Sequence, residues 1–311
     1  MKNKYILTFF FILSISHIQA AVEDHFKPAR DKSDFYLNQV RNIDYIYLLN
    51  LDQRPEKLAH CLNELEPYGI HPYRFSAVNG WELTLDILND VGIEYESYMV
   101  KDLWATAYLP NRNFRPYHEI MHSVGRNYFS HCLSRGAVGI ALSHLSILQD
   151  ALNSGYETIW VIEDDILVIQ NPHSLSDRIS ELDHLVGHNN WDILFTDQDT
   201  KNQKGQYVPC FSHARRPNFS PEFPQRFADR KNLNDTFRKI GARYGAYSMI
   251  IRRSGMQKIL DFIKTHKIFF PYDMDFYLPN NITLYALIND VVSTQPNALS
   301  DNGKPYYNSK K

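Results

Sequence analysis

A strand–helix–strand pattern near the start of the chain constrains the fold more than any other feature of the sequence. The stretch IDYIYLLNL, residues 43 to 51, predicts a buried strand, and residues 73 to 77 predict a second, shorter one. Between them, Pro55 suits the first position of a helix. Leucines follow at helical spacing: Leu58, Leu62 and Leu65. Two strands joined by a helix in this way form a βαβ unit, which predicts an α/β fold with a mostly parallel central sheet.

Further strands and helices are predicted in the second half of the chain. Residues 136 to 155, GAVGIALSHLSILQDALNSG, place their large apolar side chains on one helical face, and the apolar residues 160 to 162 follow as a strand. Short strands are predicted at residues 192 to 196 and 246 to 251. Ser254 suits the N-cap of the helix that follows.

Two stretches interrupt this pattern. Residues 81 to 135 have no clear period and contain scattered prolines, aromatics and charges, so we interpret them as an insertion of short helices and loops. Residues 201 to 243 are basic, and they form either a solvated loop region or a flap that faces a phosphate or an acceptor.

Length and composition exclude several classes of protein. The chain has 311 residues, of which 44% are hydrophobic and 22% charged, and this allows one large α/β domain or two modest ones. The net charge is -2, so no overall positive field points to nucleic acid. The cysteines could form one disulfide with one thiol left over, but not a disulfide scaffold: Cys61, Cys132 and Cys210.

Both ends of the chain are predicted to lie outside the domain. Residues 1 to 21, MKNKYILTFFFILSISHIQAA, have the basic, apolar and small-residue order of a signal peptide, so we expect an exported or secretory protein. The alternative is an uncleaved N-terminal membrane anchor, with the protein facing the cytosol. Residues 22 to 42 are interpreted as a linker, and residues 301 to 311 as a flexible tail.

Three consecutive carboxylates follow the strand at residues 160 to 162. Glu163, Asp164 and Asp165 repel one another, and they lose solvation at the end of a buried strand. Ligands of open α/β sheets bind beyond the carboxyl ends of the strands, and hard divalent cations prefer oxygen ligands. A cation such as Mg²⁺ or Mn²⁺ would relieve the repulsion and hold the phosphates of a substrate. The alternative is a solvated acidic turn.

Five segments together resemble glycosyltransferase family 25, the group that includes bacterial lipooligosaccharide galactosyltransferases and collagen galactosyltransferases. They occur in the family's order and span roughly residues 43 to 300. Two positions depart from the family pattern: Asn79 stands where Asp is more frequent, and Gly245 where His is common. The segments are LLNLDQRPEKL (48 to 58), RFSAVNG (74 to 80), GAVGIALSHLSIL (136 to 148), VIEDDILV (161 to 168) and GAYSMIIRRSGMQKIL (245 to 260).

The resemblance implies a GT-A-like, Rossmann-type domain over residues 43 to 300 that binds a nucleotide sugar. It implies inverting transfer of a hexose, with galactose as the expected sugar, from a UDP-sugar to a glycan or lipooligosaccharide. A lipid-linked glycan or a protein hydroxylysine is also compatible as acceptor. In the GT-A pattern Asp165 would be the direct ligand of Mn²⁺ or Mg²⁺. Glu163 and Asp164 would contact the ribose or the waters around the ion.

Other residues are candidates for binding the donor. Asn50, Asp52 and Arg54 follow the first strand, where they could hold the base, ribose or phosphate, or could serve only the turn. The family match adds Asn79 and the Ser143–His144 pair, and His144 could bind phosphate or the donor sugar.

The general base that inverting transfer requires is expected after the last predicted helix. Asp273 fits the family's register best, with Asp275 as the alternative, and either could instead be a second metal ligand. Asp197 and Asp199 follow a predicted strand and compete for the base role. The family's closing segment is resembled by Gln295, Ser300 and Asp301.

Two other functions stay open from the sequence. A secreted glycan-binding protein could keep the fold after losing transfer, and the departures at Asn79 and Gly245 leave room for this. A metal-dependent phosphohydrolase also uses clustered acids, but it usually needs further His and Asp clusters, and the sequence offers none with convincing spacing. The signal peptide conflicts with a nucleotide-sugar donor made in the cytosol, unless the compartment is a secretory lumen, a host cell or the cytosolic face of a membrane.

Overall fold

The computed structural model describes residues 20 to 202, 204 to 296 and 298 to 310. The predicted signal peptide therefore lies, up to residue 19, outside the described residues. In these ranges, no helix has both the length and the apolar character that crossing a membrane requires.

The described residues form fifteen strands and six α-helices, with short 3-10 helices between them. The strands are β1 (Leu37–Val40), β2 (Ile43–Asn50), β3 (Tyr73–Ser76), β4 (Ile93–Glu94), β5 (Trp104–Tyr108), β6 (Pro116–Ile120), β7 (Asn127–Ser130), β8 (Thr158–Glu163), β9 (Ile166–Val168), β10 (Ile193–Phe195), β11 (Arg230–Asn232), β12 (Phe237–Ile240), β13 (Ser248–Arg252), β14 (Leu284–Leu287) and β15 (Val292–Thr294). The helices are α1 (Pro55–Leu65), α2 (Leu85–Val91), α3 (Arg135–Asn153), α4 (Ser174–Val186), α5 (Arg253–His266) and α6 (Tyr272–Asp275).

Nine strands form the central sheet, in the order β1-β2-β8-β13-β10-β14-β12-β11, with β3 also paired to β2. The predicted βαβ unit is present, since β2 and β3 are parallel and α1 connects them. This confirms an α/β fold. The sheet is mixed, however, and not mostly parallel: β2–β3, β2–β8 and β10–β14 are parallel, and the other five pairings are antiparallel.

The direction of β13 explains this difference from the predicted sheet. This strand lies between β8 and β10 and is antiparallel to both. At the edge of the sheet opposite β1, β11 and β12 form an antiparallel hairpin. Hydrophobic periodicity predicts that a strand is buried but carries no information about its direction, so these pairings could not be read from the sequence.

Helices cover both faces of the sheet, and the alternation along β2 shows how. Tyr45 and Tyr47 belong to the core cluster that contains α3 and α5. Ile46 and Leu48 belong to the cluster that contains α1 and α4. Successive side chains of a strand point to opposite faces, so β2 is apolar on both sides because both sides are covered.

The stretch from 81 to 135 contains more strand than expected. Instead of only short helices and loops, it forms α2 and a four-stranded sheet in the order β4-β7-β5-β6. All its pairings are antiparallel. Antiparallel strands can be joined by short loops, so a chain segment without a long apolar period can still form a sheet.

The segments predicted to flank the domain are packed against it. Within residues 22 to 42, Val22 and Val40 are buried and β1 extends the central sheet, so this part is not a free linker. In the predicted tail, Trp81 Nε1 donates to the carbonyl oxygen of Asp301 at 2.8 Å. These apolar and hydrogen-bonding contacts are long-range and leave no signature in local sequence periodicity.

Two smaller predictions also differ from the structure. Ser254 does not cap α5, because the helix begins at Arg253 and the Ser254 hydroxyl donates to Asp192 Oδ1 at 2.6 Å. All three cysteines are free thiols, with Cys61 and Cys210 buried and Cys132 exposed.

Four arginines of the basic stretch bind other parts of the protein. Arg226 donates to the carbonyl oxygens of residues 277, 278 and 279, and Arg230 donates to that of Ala242. Arg216 and Arg243 are buried and form ion pairs with aspartates. Neither a wholly solvated loop nor a phosphate-facing flap describes these four side chains, because each is bound to protein atoms.

Candidate active site

The carboxyl ends of three neighbouring parallel strands open into a cleft. In the sheet, Asn50 of β2 is level with Ser76 of β3, and Leu49 with Glu163 of β8. The cleft contains about 600 Å³ of empty space that is open to solvent. Its polar lining includes Asn50, Lys57, Asn79, Ser143, Glu163, Asp164, Asp165, Ser300, Asp301 and Asn302. We call this the first chamber.

A second chamber adjoins the first, and the acid triplet stands between them. Glu163 and Asp165 line both chambers, as do Ser300 and Asn302. The second chamber is also lined by Gly245, Tyr247, Tyr272 and Asp273. The acids therefore stand where a ligand that fills both chambers would have its middle.

Asp164 is fixed by polar neighbours from β2 and α1. Its Oδ2 accepts a hydrogen bond from Asn50 Nδ2 at 2.7 Å, and its Oδ1 lies 3.3 Å from Lys57 Nζ. Burial raises the pKa of Asp164, and the Lys57 ammonium opposes that rise. Asn50 also accepts from Arg74 Nε at 3.0 Å, so it links two strands to the triplet.

Of the three acids, Asp165 has the fewest protein partners for its carboxylate. Its Oδ1 is buried and has no hydrogen-bond partner among the residues that the structure describes. Burial, with a further contribution from the Glu163 carboxylate, raises the pKa of Asp165 to about 7. The backbone is held firmly, since the Asp165 carbonyl oxygen accepts from Gln295 N–H at 2.8 Å. A fixed, desolvated carboxylate oxygen without a partner suits a hard divalent cation.

Across the described ranges, no group of three or more His, Cys, Asp or Glu side chains is placed to hold a metal ion. A Mg²⁺-type site uses one or two carboxylates and completes its shell with substrate phosphates and water. Asp165, with Glu163 beside it, fits that kind of site. It does not fit a site made by the protein alone.

Glu163, which lines both chambers, is paired with a buried histidine. His144 Nε2 lies 2.9 Å from Glu163 Oε1, and the His144 side chain is fully buried. Its ring stacks on Tyr272, with the ring centres 4.3 Å apart. His144 thus orients Glu163 from below and does not itself line either chamber.

Ser143 connects α3 to the loop after β3. Its hydroxyl accepts from Val78 N–H at 2.8 Å and donates to the Gly139 carbonyl at 2.6 Å. The approach of loop and helix needs glycine, because a Cβ on Gly80 would lie 1.9 Å from the Arg135 carbonyl oxygen. This contact places Asn79 at the cleft wall, where it donates to Tyr307 Oη at 2.9 Å.

The side chains of Asp52 and Arg54 lie in different surroundings. The Asp52 carboxylate accepts from Ser76 Oγ at 2.8 Å and pairs with Arg74, while its side chain stays largely exposed. Arg54 is buried and donates to Asp301 Oδ2 at 2.6 Å. Neither residue is among those that line the two chambers.

Asp273 lines the second chamber. Its Oδ2 accepts from Gly245 N–H at 2.9 Å, and burial raises its pKa. Gly245 has φ +80°, and a Cβ there would lie 2.7 Å from the Tyr247 ring. A histidine at this position would be strained, so the departure from the family pattern has a structural reason.

The competing aspartates lie in polar networks of the protein. Asp275 is buried, forms an ion pair with Arg216 and accepts from Phe270 N–H at 3.1 Å. Asp197 is buried against Arg243 and also accepts from Tyr247 Oη at 2.6 Å. Asp199 accepts from Thr200 N–H. None of the three lines either chamber.

Sequence reasoning missed several residues of the site. Lys57 stands in the first turn of α1, directly after the strand that carries Asn50, and this position was a usable signal. Tyr272 precedes Asp273 and could have been included on that ground. Trp81 and Asn302 come from segments without periodicity, so only the folded chain brings them to the cleft.

Comparison with known proteins connects this cleft to a family. The model of glycosyltransferase family 25 (LPS biosynthesis protein) matches residues 43–276. The chain is 26% identical over 171 residues to a "Glycosyltransferase 25 family member" of Aedes aegypti, which covers 55% of this chain and 23% of that protein. It is 26% identical over 152 residues to an "Inactive glycosyltransferase 25 family member 3" of Mus musculus, covering 49% and 21%. The matched segments thus span less than a quarter of these relatives.

Proposed function

Because the chain belongs to glycosyltransferase family 25, we propose that it transfers a hexose from a UDP-sugar to a hydroxyl of a glycan. The observation that carries the proposal is the position of Asp165 between two chambers, with one buried carboxylate oxygen that has no partner. A nucleotide sugar has the matching order of groups: a nucleoside, a diphosphate and a sugar. We infer a GT-A-like arrangement from this order.

Asp165 would hold Mn²⁺ or Mg²⁺, with Glu163 beside it. A bound divalent ion neutralises charge that develops on the departing diphosphate. The chain's own residues position this part of the site: Asn50 and Lys57 fix Asp164, and His144 fixes Glu163. The nucleoside would then occupy the first chamber and the hexose the second.

Asp273 is the proposed general base. It stands in the second chamber with Glu163 and Asp165, where the hexose and the acceptor would meet. In an inverting step, the acceptor oxygen bonds to the anomeric carbon from the face opposite the UDP, and the bond to the phosphate oxygen breaks. Asp273 takes the acceptor proton, and its raised pKa favours this role at neutral pH.

The acceptor, the sugar and the compartment are also part of the proposal. We propose a glycan acceptor such as lipooligosaccharide, since the matching family model is described as an LPS biosynthesis protein. Galactose is the proposed hexose. Export through the predicted signal peptide, with cytosolic anchoring as the alternative, stays a prediction.

A donor screen tests the proposal. The purified protein is incubated with a panel of nucleotide sugars and Mn²⁺, with and without chelator, and released nucleoside diphosphate is measured. We expect release from a UDP-hexose that chelator abolishes and that Asp165→Ala lowers at least about 100-fold. Asp177→Ala, which removes a carboxylate with a 77% exposed side chain, is the control and should keep full activity.

A second outcome would favour a protein that binds but does not transfer. Three mammalian relatives carry the word inactive in their names, so this alternative has a concrete basis. It predicts metal-dependent UDP-sugar binding in calorimetry without turnover on any acceptor. If no nucleotide sugar binds in the presence of Mn²⁺, both the transferase and the binding protein without transfer activity are wrong.

A further inference from the structure

A short segment near the C-terminal end completes the wall of the cleft. Ser300 and Asn302 line both chambers, whereas Asp301 lines the first chamber and not the second. The segment lies beyond residues 43–276, which the family model matches. It is anchored at both sides: Trp81 Nε1 donates to the Asp301 carbonyl at 2.8 Å, and Ser134 Oγ donates to Asn302 Oδ1 at 2.8 Å.

The Asp301 carboxylate is only half satisfied. Its side chain is 8% exposed, and Oδ2 accepts a hydrogen bond from Arg54 Nη1 at 2.6 Å. The other oxygen, Oδ1, is buried, and in the part of the chain that the structure describes it has no hydrogen-bond partner. Buried polar atoms in folded proteins are almost always paired, so an unpaired carboxylate oxygen at a cleft wall points to a ligand that donates to it.

The identity of that donor follows from position and charge. An ionised carboxylate accepts hydrogen bonds and donates none, so it selects an O–H or N–H group and disfavours phosphate oxygens. With the diphosphate beside Asp165 and the hexose beside Asp273, the first chamber is left for the nucleoside. A uridine offers both kinds of group, through its ribose hydroxyls and the N–H of its base.

We propose that Asp301 Oδ1 binds the nucleoside of the donor by accepting a hydrogen bond from a ribose hydroxyl or from the imide N–H of the base. The inference rests on the proposed function, because it assumes a uridine nucleotide in the cleft. Arg54 is the positioning residue: its hydrogen bond to Oδ2 fixes the carboxylate and leaves Oδ1 for the ligand. Specificity for the nucleoside thereby depends on a segment that follows residues 43–276, the part that the family model matches.

Calorimetry of the full chain with Mn²⁺ tests this role. The probes are UDP and three analogues that each lack one candidate donor: 2′-deoxy-UDP, 3′-deoxy-UDP and N3-methyl-UDP. We expect the native chain to bind one analogue at least about 10-fold more weakly than UDP, since a hydrogen bond to a charged group is lost. In Asp301→Ala, UDP should weaken by a similar factor, and the discrimination against that analogue should disappear.

Two variants distinguish direct contact between Asp301 and the nucleoside from a purely structural role of Asp301 in the cleft wall. Asp301→Asn keeps the shape and the backbone contacts, and should also reduce the discrimination if the alanine variant does not fold. Asp177→Asn, far from the cleft lining, should retain it in full. If Asp301 only supports the wall, all four ligands weaken by one common factor and the discrimination persists, which overturns the inference.

The inference and the proposed function fail in different ways. A native chain that binds no uridine nucleotide overturns both. A native chain that binds UDP and its three analogues equally, or Asp301 variants that discriminate as the native chain does, overturn the role of Asp301 alone.

Discussion

Two pairs of aspartates in this molecule look alike in the sequence and differ in their surroundings: Asp197 and Asp275 are buried, whereas Asp165 and Asp273 are partly buried at the cleft. Asp197 and Asp275, the paired acids, are each in contact with a buried arginine and with further donors. Asp165 and Asp273, the unpaired acids, form no ion pair within the ranges that the structure describes. Burial raises the pKa of all four carboxyl groups.

Burial alone therefore does not mark a functional acid. A buried carboxylate that already has an arginine partner is part of the scaffold, because its charge is compensated inside the protein. A partly buried carboxylate at a cleft without such a partner needs compensation from outside. The comparison predicts that removing a paired acid harms the fold, whereas removing an unpaired acid harms the chemistry.

The largest effect is expected from breaking a paired acid. Asp275→Ala leaves the Arg216 guanidinium buried without its counter-ion, which should lower the free energy of unfolding by about 3–5 kcal/mol. Urea denaturation followed by circular dichroism measures this. As a control, Arg216→Met combined with Asp275→Leu should recover most of the loss. A single variant as stable as the native chain would show that the pair does not hold this region.

The second-largest effect is expected on the rate of sugar transfer. Asp273→Asn removes the proposed base, so kcat should fall by about 10²–10⁴-fold. The Kd for UDP should stay nearly unchanged, because the proposed positions of the nucleoside, in the first chamber, and of the diphosphate, at Asp165, involve no contact with Asp273. The free energy of unfolding should change by less than about 1 kcal/mol, since no ion pair is lost. Weaker UDP binding together with a native rate would make Asp273 a binding residue.

The sequence could place the strands and the acid triplet but could not tell these acids apart. Asp273 and Asp275 are two residues apart, and their surroundings differ because only Asp275 pairs with Arg216, which comes from a basic stretch with no helical or strand period. Partners so distant along the chain are brought together only by the tertiary fold. The apolar run before Glu163, in contrast, is a local signal and predicted the strand that ends at the site.

The same limit explains what was missed at the cleft. Asn50 and Glu163 end strands and Asp165 follows one, so the rule about the carboxyl ends of strands predicted that they lie at the cleft. Trp81 and Asn302 come from segments without apolar periodicity, and their segments meet through long-range hydrogen bonds such as that from Trp81 Nε1 to the Asp301 carbonyl oxygen. The direction of β13 was likewise beyond reach, because apolar runs of parallel and antiparallel strands buried on both faces look the same.

A smaller effect is expected on the pH dependence of stability. Without metal, the folded chain ionises Asp165 at a pKa of about 7, whereas the unfolded chain does so near the ordinary value of 3.8. Between these values the folded chain binds the extra proton, so its free energy of unfolding falls as pH rises from about 4 to about 7. The slope from this group is at most about 1.4 kcal/mol per pH unit.

Urea denaturation in chelator at pH 5 and pH 7 checks this slope. The native chain should lose more stability between the two pH values than Asp165→Asn does, because the amide does not ionise. The difference between the two proteins isolates Asp165 from other buried acids, whose contributions are common to both. Equal losses would mean that Asp165 is compensated within the protein and belongs with the paired acids.

The smallest effect is expected where a paired aspartate is not buried. Asp177 forms an ion pair with Arg41 at 2.5 Å, but their side chains are 77% and 66% exposed. Water solvates both charges when the pair is broken, so Asp177→Ala should change the free energy of unfolding by no more than about 0.5 kcal/mol. The measurement is the same urea denaturation used for Asp275→Ala. If Asp177→Ala lost as much stability as Asp275→Ala, the ion pair itself, and not burial of the arginine's charge, would determine the loss in free energy of unfolding. Burial would then not explain why the paired acids matter to the fold.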